Sequence, residues 1–282
     1  MGTEQNNPLS KFFRQPGIHL KLPSNGRWWP EGKLELPVTG EIPIYPMTTK
    51  DEIILRTPDA LMNGQGVVDV IQSCCPSIKD AWSMPSVDVD AVLIGIRIAS
   101  YGNNMDVNST CPHCKESNDH AIPLGPVLDS IECPSYKETI QYQTLKIKLH
   151  PQPYYAVNST NRISFEEQKI ANVLAMQDVD PIVKAKELAD SMNRLVNLGI
   201  ASVVESTEYI ELEDGDRIVK KEFIQEFYEN AESNVIKSIQ ESLGNIAAGA
   251  RIKPVKLQCN ECSEAYDLEL EFDYANFFGK GF

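Results

Sequence analysis

Basic residues are scarce in this chain. Its 282 residues include 26 Lys and Arg against 40 Asp and Glu, a formal charge of −14. Affinity for nucleic acid rests on cations that neutralise phosphates, so no nucleic-acid partner is expected. The stretch around Lys253 and Lys256 is too short to reverse that. A membrane helix needs about 20 successive apolar residues. The best run, Ala91-Val92-Leu93-Ile94-Gly95-Ile96, is stopped by Arg97, and no membrane partner is expected. The stretch Met1–Asn7 has neither the basic nor the apolar region of a signal peptide. Asn6 stands where myristoylation wants Ser or Thr. The sequons at Asn108 and Asn158 therefore carry little weight, and a reducing compartment is expected.

Catalytic motifs are missing as well. There is no phosphate-binding glycine loop, no His-Glu-x-x-His and no Gly-x-Ser-x-Gly. The four histidines, at 19, 113, 120 and 150, show no mutual spacing. The expectation is a protein without enzymatic activity or a small-molecule substrate. Internal repeats and low-complexity tracts are also lacking. The composition, 42% apolar, excludes collagen-like and wholly disordered chains. A globular chain of this length buries about 75% of its unfolded surface, enough for one large domain or two.

Several elements are legible. Residues 34–46 read as extended segments around a Thr39-Gly40 turn. Thr49 and Glu52 have the spacing of a capping box for a short helix ending near Leu55. Pro58 opens a further helix, and another covers about Val67 to Cys75. The segment from Val87 to Tyr101 is apolar on nearly all sides, with Asp88 and Asp90 in its first turn and Gly102 at its end, which predicts a central core helix. Its one long charge, Arg97, either reaches solvent past a buried stem or pairs with a buried carboxylate. Residues 103–110, 115–131 and 139–149 read as strands. Ser164 and Glu167 read as a capping box for a helix over 165–177, and Pro181 opens one closed by Gly199, with Leu188, Met192 and Leu195 spaced to give one packed face. Residues 203–219 have a hairpin pattern around Asp214-Gly215, and helices follow over 221–230 and 233–248.

Seven cysteines, an odd number in a long chain, argue against a disulfide framework. Adjacent Cys74 and Cys75 read as core fillers. Four others form two Cys-x-x-Cys pairs, Cys111/Cys114 in STCPHCKES and Cys259/Cys262 in LQCNECSEA, each between strand-like segments. Zinc takes four thiolates in a tetrahedron, and two such turns on two hairpins supply them. One structural Zn²⁺ per chain is the leading reading, with plain unmetallated turns and redox chemistry as alternatives. Glycine is common after the second cysteine of such a turn; Lys115 and Ser263 occupy those positions. His113 and His120 read as exposed.

Trp28 and Trp29 are either one packed and one half-exposed ring or an anchor for a partner, since Trp is enriched in interface hot spots. The tail FDYANFFGKGF holds four Phe and a Tyr in eleven residues, including Phe277, Phe278 and Phe282. Both ends read as docking elements, or else fold back onto the chain's own core.

The stretch SMPSVDVDAVLIGIRIASYGNNMDVNSTCPHC, with TPDALMNGQGVVDVIQSCCPSIKD before it and the late CNEC and FDYANFFG, resembles the T4-like bacteriophage base plate protein family over roughly residues 35–280. The resemblance implies a structural protein of a contractile-tail baseplate, at the hub or around it. Such a protein is made in the host cytoplasm and contacts other baseplate or tail proteins. It carries Cys111, Cys114, Cys259 and Cys262 over as structural ligands. An assembly chaperone absent from the finished particle is the alternative, and a zinc-ribbon nucleic-acid accessory protein a more remote one. The expected architecture is α+β, with zinc-ribbon-like hairpins and a large helical insert. Its parts would be an extended arm over 1–33, a core with the first knuckle over 34–149, the insert over 150–250, and the second knuckle with the tail over 251–282.

Overall fold

The computed structural model describes residues 7–57, 63–176, 180–250 and 252–270. The architecture is α+β: eight helices and four small antiparallel sheets among the described residues. The helix expected from Pro58 and the aromatic tail lie outside them.

The main core is built around one helix. Hairpin β1 (Ile18–Lys21) and β2 (Glu41–Ile44) lies against α3 (Ser86–Tyr101), and α1 (Thr49–Leu55) and α2 (Gln65–Cys74) complete the shell. Every residue of α3 from Ala91 to Arg97 is buried, as its all-round apolarity predicts. Gly95 makes the contact close. A Cβ at that position would come within 2.5 Å of Ile44 Cδ1, so glycine lets the hairpin sit directly on the helix. Cys74 and Cys75 are fully buried in the same core. The cap of α1 falls one residue before the expected one: Thr48 and Asp51 bond reciprocally, whereas Thr49 lies inside the helix.

The stretch read as an extended arm is largely part of this body. Leu20 and Leu22 are buried in the main core, and Ser24 is fully buried, donating from its backbone and hydroxyl to Asp88 at 2.7 and 2.6 Å. The short apolar alternation Ile18-His19-Leu20-Lys21-Leu22 is the signal, masked by the Gly and Pro around it. Among the described large apolar side chains of the stretch, Leu9 and Phe12, on a 3-10 turn at Pro8–Phe12, and Phe13 just after it are exposed.

Hairpin β3 (Asn104–Thr110) and β4 (Ser117–Pro123) follows α3. The expected strand then stops, because Leu124–Asp129 forms helix α4, with the Gly125 amide donating to Asn103 Oδ1. Residues 139–149 are two strands, not one. β5 (Thr139–Tyr142) turns at Gln143, which is left-handed at φ 50°, into β6 (Leu145–Leu149). Alternation continues through that turn, which hides it.

Helix α5 (Tyr154–Met176) starts ten residues before the expected cap at Ser164. Glu167 does not cap it. Its carboxylate is buried and accepts from Ser191 Oγ and from Arg194 of α6 (Pro181–Glu205). Helix α6 runs through Gly199, where a Cβ would meet Gln240 Nε2 of α8 at 3.2 Å. Residues 203–205, read as strand, are its last turn; the hairpin is β7 (Thr207–Glu211) and β8 (Arg217–Ile218). Strands β5-β6-β7-β8 form one antiparallel sheet. With the end of α6, α7 (Lys221–Asn230) and α8 (Ser233–Ala250), it encloses a second core around Ile147, Val203, Ile224 and Ile239. The last hairpin, β9 (Val255–Gln258) and β10 (Ala265–Leu268), returns the chain to the first body.

Candidate metal centre

Hairpins β3/β4 and β9/β10 meet at their tips. The tip of each is a Cys-x-x-Cys turn with the same backbone wiring. The Cys111 amide donates to the Glu116 carbonyl at 2.9 Å, and the Lys115 amide to the Cys111 carbonyl at 3.0 Å. In the other turn, Cys259 to Glu264 and Ser263 to Cys259 repeat these bonds at 2.9 and 3.0 Å. Lys115 and Ser263 are left-handed, φ 67° and 61°, at the positions that commonly hold glycine. An L-residue in that region costs roughly 1–2 kcal/mol, so the turn geometry is held against a local penalty in both knuckles.

The four sulfurs lie within 4.8 Å of one another. Cys111 and Cys262 Sγ are 3.8 Å apart, and Cys114 and Cys259 Sγ 3.6 Å. A tetrahedron with metal–sulfur bonds of about 2.3 Å has edges of about 3.8 Å. The cluster therefore has the dimensions of a four-thiolate site for an ion such as zinc. Cys111 and Cys259 are buried, and the second cysteine of each pair faces the surface. His113, within the first turn, is exposed and not part of the cluster.

The thiols do not ionise alike. The backbone N–H of Cys262 pulls the pKa of Cys259 down to about 6 against the cost of burial, helped by the N–H of Glu261 and the Cys114 thiol. At Cys114 the N–H of Glu116 acts in the same direction. Burial and the bonds to Cys259, Cys262 and Cys111 outweigh it and push that thiol up to about 12. A thiolate is favoured at Cys259 and disfavoured at Cys114 and Cys262; a divalent cation binds thiolates and so displaces such protons.

A polar layer under the cysteines joins the hairpins. Ser109 Oγ and Tyr266 Oη are 2.7 Å apart, and His120 Nε2 lies 3.1 Å from the same hydroxyl. Asn118 Oδ1 accepts from the Asn260 amide at 2.8 Å, and its Nδ2 donates to the Glu116 carbonyl. His120, read as a plain surface residue, is thus half-buried between the hairpins. No spacing pattern marks Ser109, Asn118, His120 or Tyr266, because each acts on the hairpin opposite its own.

Of the other residues singled out, Trp29 donates from Nε1 to Asp88 Oδ2 at 2.9 Å and packs on the main core. Burial raises the Asp88 pKa, although Ser24 and Trp29 hydrogen-bond its carboxylate. Trp28 is half-buried, edge-on to Tyr136 at 5.4 Å with the Arg27 guanidinium 4.5 Å from its ring. Arg97 is buried, its guanidinium 5.6 Å from the Tyr101 ring centroid, so its end does not reach solvent past a buried stem. Burial lowers its pKa. Phe277, Phe278 and Phe282 lie outside the described residues.

These features define an α+β protein in which hairpins β3/β4 and β9/β10 meet at a four-cysteine cluster able to hold a metal ion. Among the described residues no helix is long and apolar enough to cross a membrane. The chain belongs to the family described as T4 bacteriophage base plate protein, whose model matches residues 15–279. Searches of curated proteins and of solved structures found no significant match.

Proposed function

We propose that this chain is a structural component of a contractile phage tail baseplate, at the hub or in its surroundings, and that it acts through contacts with other baseplate or tail proteins rather than by catalysis. The family match over residues 15–279 carries this reading. One structural Zn²⁺, held by Cys111, Cys114, Cys259 and Cys262, would clasp two zinc-ribbon-like hairpins. The matching sulfur separations support the ion, and four thiolates leave no open position for a substrate.

The surface supports the partner contacts. Helix α6 turns an apolar stripe outward: Leu188, Met192, Leu195 and Val196 are 41, 64, 40 and 58% exposed. Leu188, Met192 and Leu195 are thus not the packed face that their spacing predicts; the contact with α5 is polar, through Ser191 and Arg194 to Glu167. Exposed Leu9, Phe12 and Phe13 form a second apolar patch. Large exposed apolar patches mark interaction sites. Trp28, with Phe277, Phe278 and Phe282, remains an aromatic docking candidate. The division into 34–149, 150–250 and 251–282 follows the two knuckles and the insert between them.

Mass spectrometry of purified particles tests the placement. Peptides of this chain at a fixed ratio to baseplate proteins are the expected result. Their presence only in assembly intermediates would instead favour an assembly chaperone.

A further inference from the structure

A groove of about 690 Å³ lies between the loop at Arg27 and the segment that enters β5. Arg27, Lys137 and Lys148 line it, and none of the three is ion-paired to a carboxylate among the described residues. Glu132 also lines it, with Lys253 Nζ 3.9 Å away. Trp28 and Tyr136 meet edge-on at 5.4 Å, so they form one continuous aromatic wall with no slot between them. The cations are held in place. Arg27 Nε donates to the Ser24 carbonyl at 3.0 Å, and its guanidinium lies 4.5 Å from the Trp28 ring. Lys148 Nζ donates to the Lys137 carbonyl at 2.7 Å. In a chain of charge −14, three cations gathered in one groove fit a compact group of carboxylates.

The chain itself carries such a group. The β7/β8 turn presents Glu213, Asp214 and Asp216, all exposed and none ion-paired among the described residues. The nearby cations Lys146 and Arg217 are committed to Glu211, at 3.0 Å each. The turn is fixed by its own bonds. The Leu212 amide donates to the Asp216 carbonyl at 2.8 Å, the Gly215 amide to the Leu212 carbonyl at 3.0 Å, and the Asp216 amide to Asp214 Oδ1 at 3.1 Å. Its own groove is out of reach. Lys148 stands opposite Thr139 and Tyr209, and its amine is turned onto the Lys137 carbonyl, before the start of β5. From Tyr209 the chain runs the other way, and at about 3.3 Å per residue Glu213 lies about 13 Å farther along the sheet. Groove and acidic turn therefore sit at opposite ends of the sheet β5-β6-β7-β8.

We infer that the acidic turn of one copy docks in the basic groove of a second copy, its carboxylates against Arg27, Lys137 and Lys148. One end of the sheet meets the other end of the next, so the contact is heterologous. Every pair keeps a free groove and a free turn, and repetition either closes into a ring or runs on as an open string. Exposed ion pairs are weak singly and are screened by salt, and two copies of charge −14 repel at long range. At about 0.15 M ionic strength that repulsion is cut off over about 8 Å, while charges in contact still attract. Association is therefore weak in dilute solution and favoured where copies are held close. The inference goes beyond the proposed function and does not depend on it. Its test uses the isolated chain, so either can fail alone.

A carbodiimide, which joins carboxylates to lysines without a spacer, reads the contact directly. Full-length chains labelled with heavy nitrogen are mixed with unlabelled chains at high concentration and about 0.15 M salt. Peptides joining Glu213, Asp214 or Asp216 to Lys137 or Lys148 should include pairs of one heavy and one light half. Cross-links confined to like-labelled halves would place the turn in its own groove, and none at these residues would leave the groove without this occupant; either result overturns the inference. Two full-length variants test the charges by sedimentation. Glu213→Lys/Asp216→Lys keeps the Asp214 bond within the turn, and Lys137→Glu alters an exposed position. Each alone, melting as the parent does, should associate about tenfold more weakly, since like charges then face each other. An equimolar mixture should regain association, through the intact turn of the second variant and the intact groove of the first. A mixture that associates no better than its components, or either variant associating as the parent does, overturns the inference.

Discussion

Ser109 Oγ and Tyr266 Oη, 157 positions apart in the chain, share a 2.7 Å hydrogen bond in the buried layer beneath the cysteines. His120 meets the same hydroxyl from the opposite strand of the first hairpin. The hairpins are thus joined by side-chain bonds as well as by sulfur, and the cysteines are held together by more than an ion. Tyr266→Phe removes one hydroxyl from a buried pair and leaves Ser109 unsatisfied, at a cost of about 1–3 kcal/mol. The expected result is a lower denaturation midpoint with the metal content unchanged. Unaltered stability would show that the bond contributes nothing net.

The purified chain should contain one zinc, with four sulfur neighbours at about 2.3 Å by X-ray absorption. Cys114→Ser and Cys259→Ser should each lose most of it. A strong chelator should lower the melting temperature while much of the helical circular dichroism persists, since α6, α7 and α8 pack in a core separate from the knuckles. Melting unaffected by chelation would contradict a structural role for the ion.

Ile96 is fully buried in the centre of α3. Ile96→Ala should cost about 2–5 kcal/mol, the range for large-to-small core truncations, and reduce soluble yield. Chemical denaturation measures it; a loss under about 1 kcal/mol would mean that the core closes around the space.

Acid should weaken the helical hairpin. Arg194, then Ser191, hold the Glu167 carboxyl below its ordinary range. A depressed carboxylate stabilises the fold fully above the unfolded pKa, and that contribution is lost as pH falls through the ordinary carboxylate range towards the folded pKa. Glu167→Gln should therefore flatten the stability profile below about pH 4.3, read as melting temperature against pH. A parallel downward shift at all pH values would assign the residue a packing role only.

The outward stripe of α6 separates assembly from folding. Leu188→Glu and Met192→Glu alter exposed positions, where substitutions usually change stability by no more than about 0.5 kcal/mol. They should leave the melting temperature nearly unchanged and block incorporation into baseplates. Normal incorporation of the double variant would remove the stripe from the list of contacts.

Local chemistry was legible where one stretch carries its own determinants. All-round apolarity marked α3, three- and four-residue spacing marked α8, and the repeated Cys-x-x-Cys marked both halves of the cluster, whereas the apolar spacing of α6 pointed to a packed face that is exposed. What escaped depends on partners distant in the chain. Ser164 and Glu167 carry a capping signature, yet Glu167 is taken by Arg194. The segment before Trp29 looked too irregular for a core, yet α3 supplies the surface that buries Leu20 and Leu22. Gln143, Lys115 and Ser263 turn left-handed without glycine or asparagine to announce it. The polar layer under the cysteines has no sequence spacing, because it exists only between hairpins.

The meeting of the two knuckles also determines how the chain would bear load. With an ion in place, Cys114 and Cys259 become neighbours across metal bonds although 145 positions separate them. Tension applied to the body on one side and to the chain beyond β10 on the other would then pass through the sulfur–metal bonds and bypass the helices between them. The insert would lie off that route, tied to the body by contacts of its own such as the Tyr154 amide to the Met84 carbonyl at 2.7 Å. Force on that route would pass through the smallest core of the chain and leave the larger core of the insert undistorted.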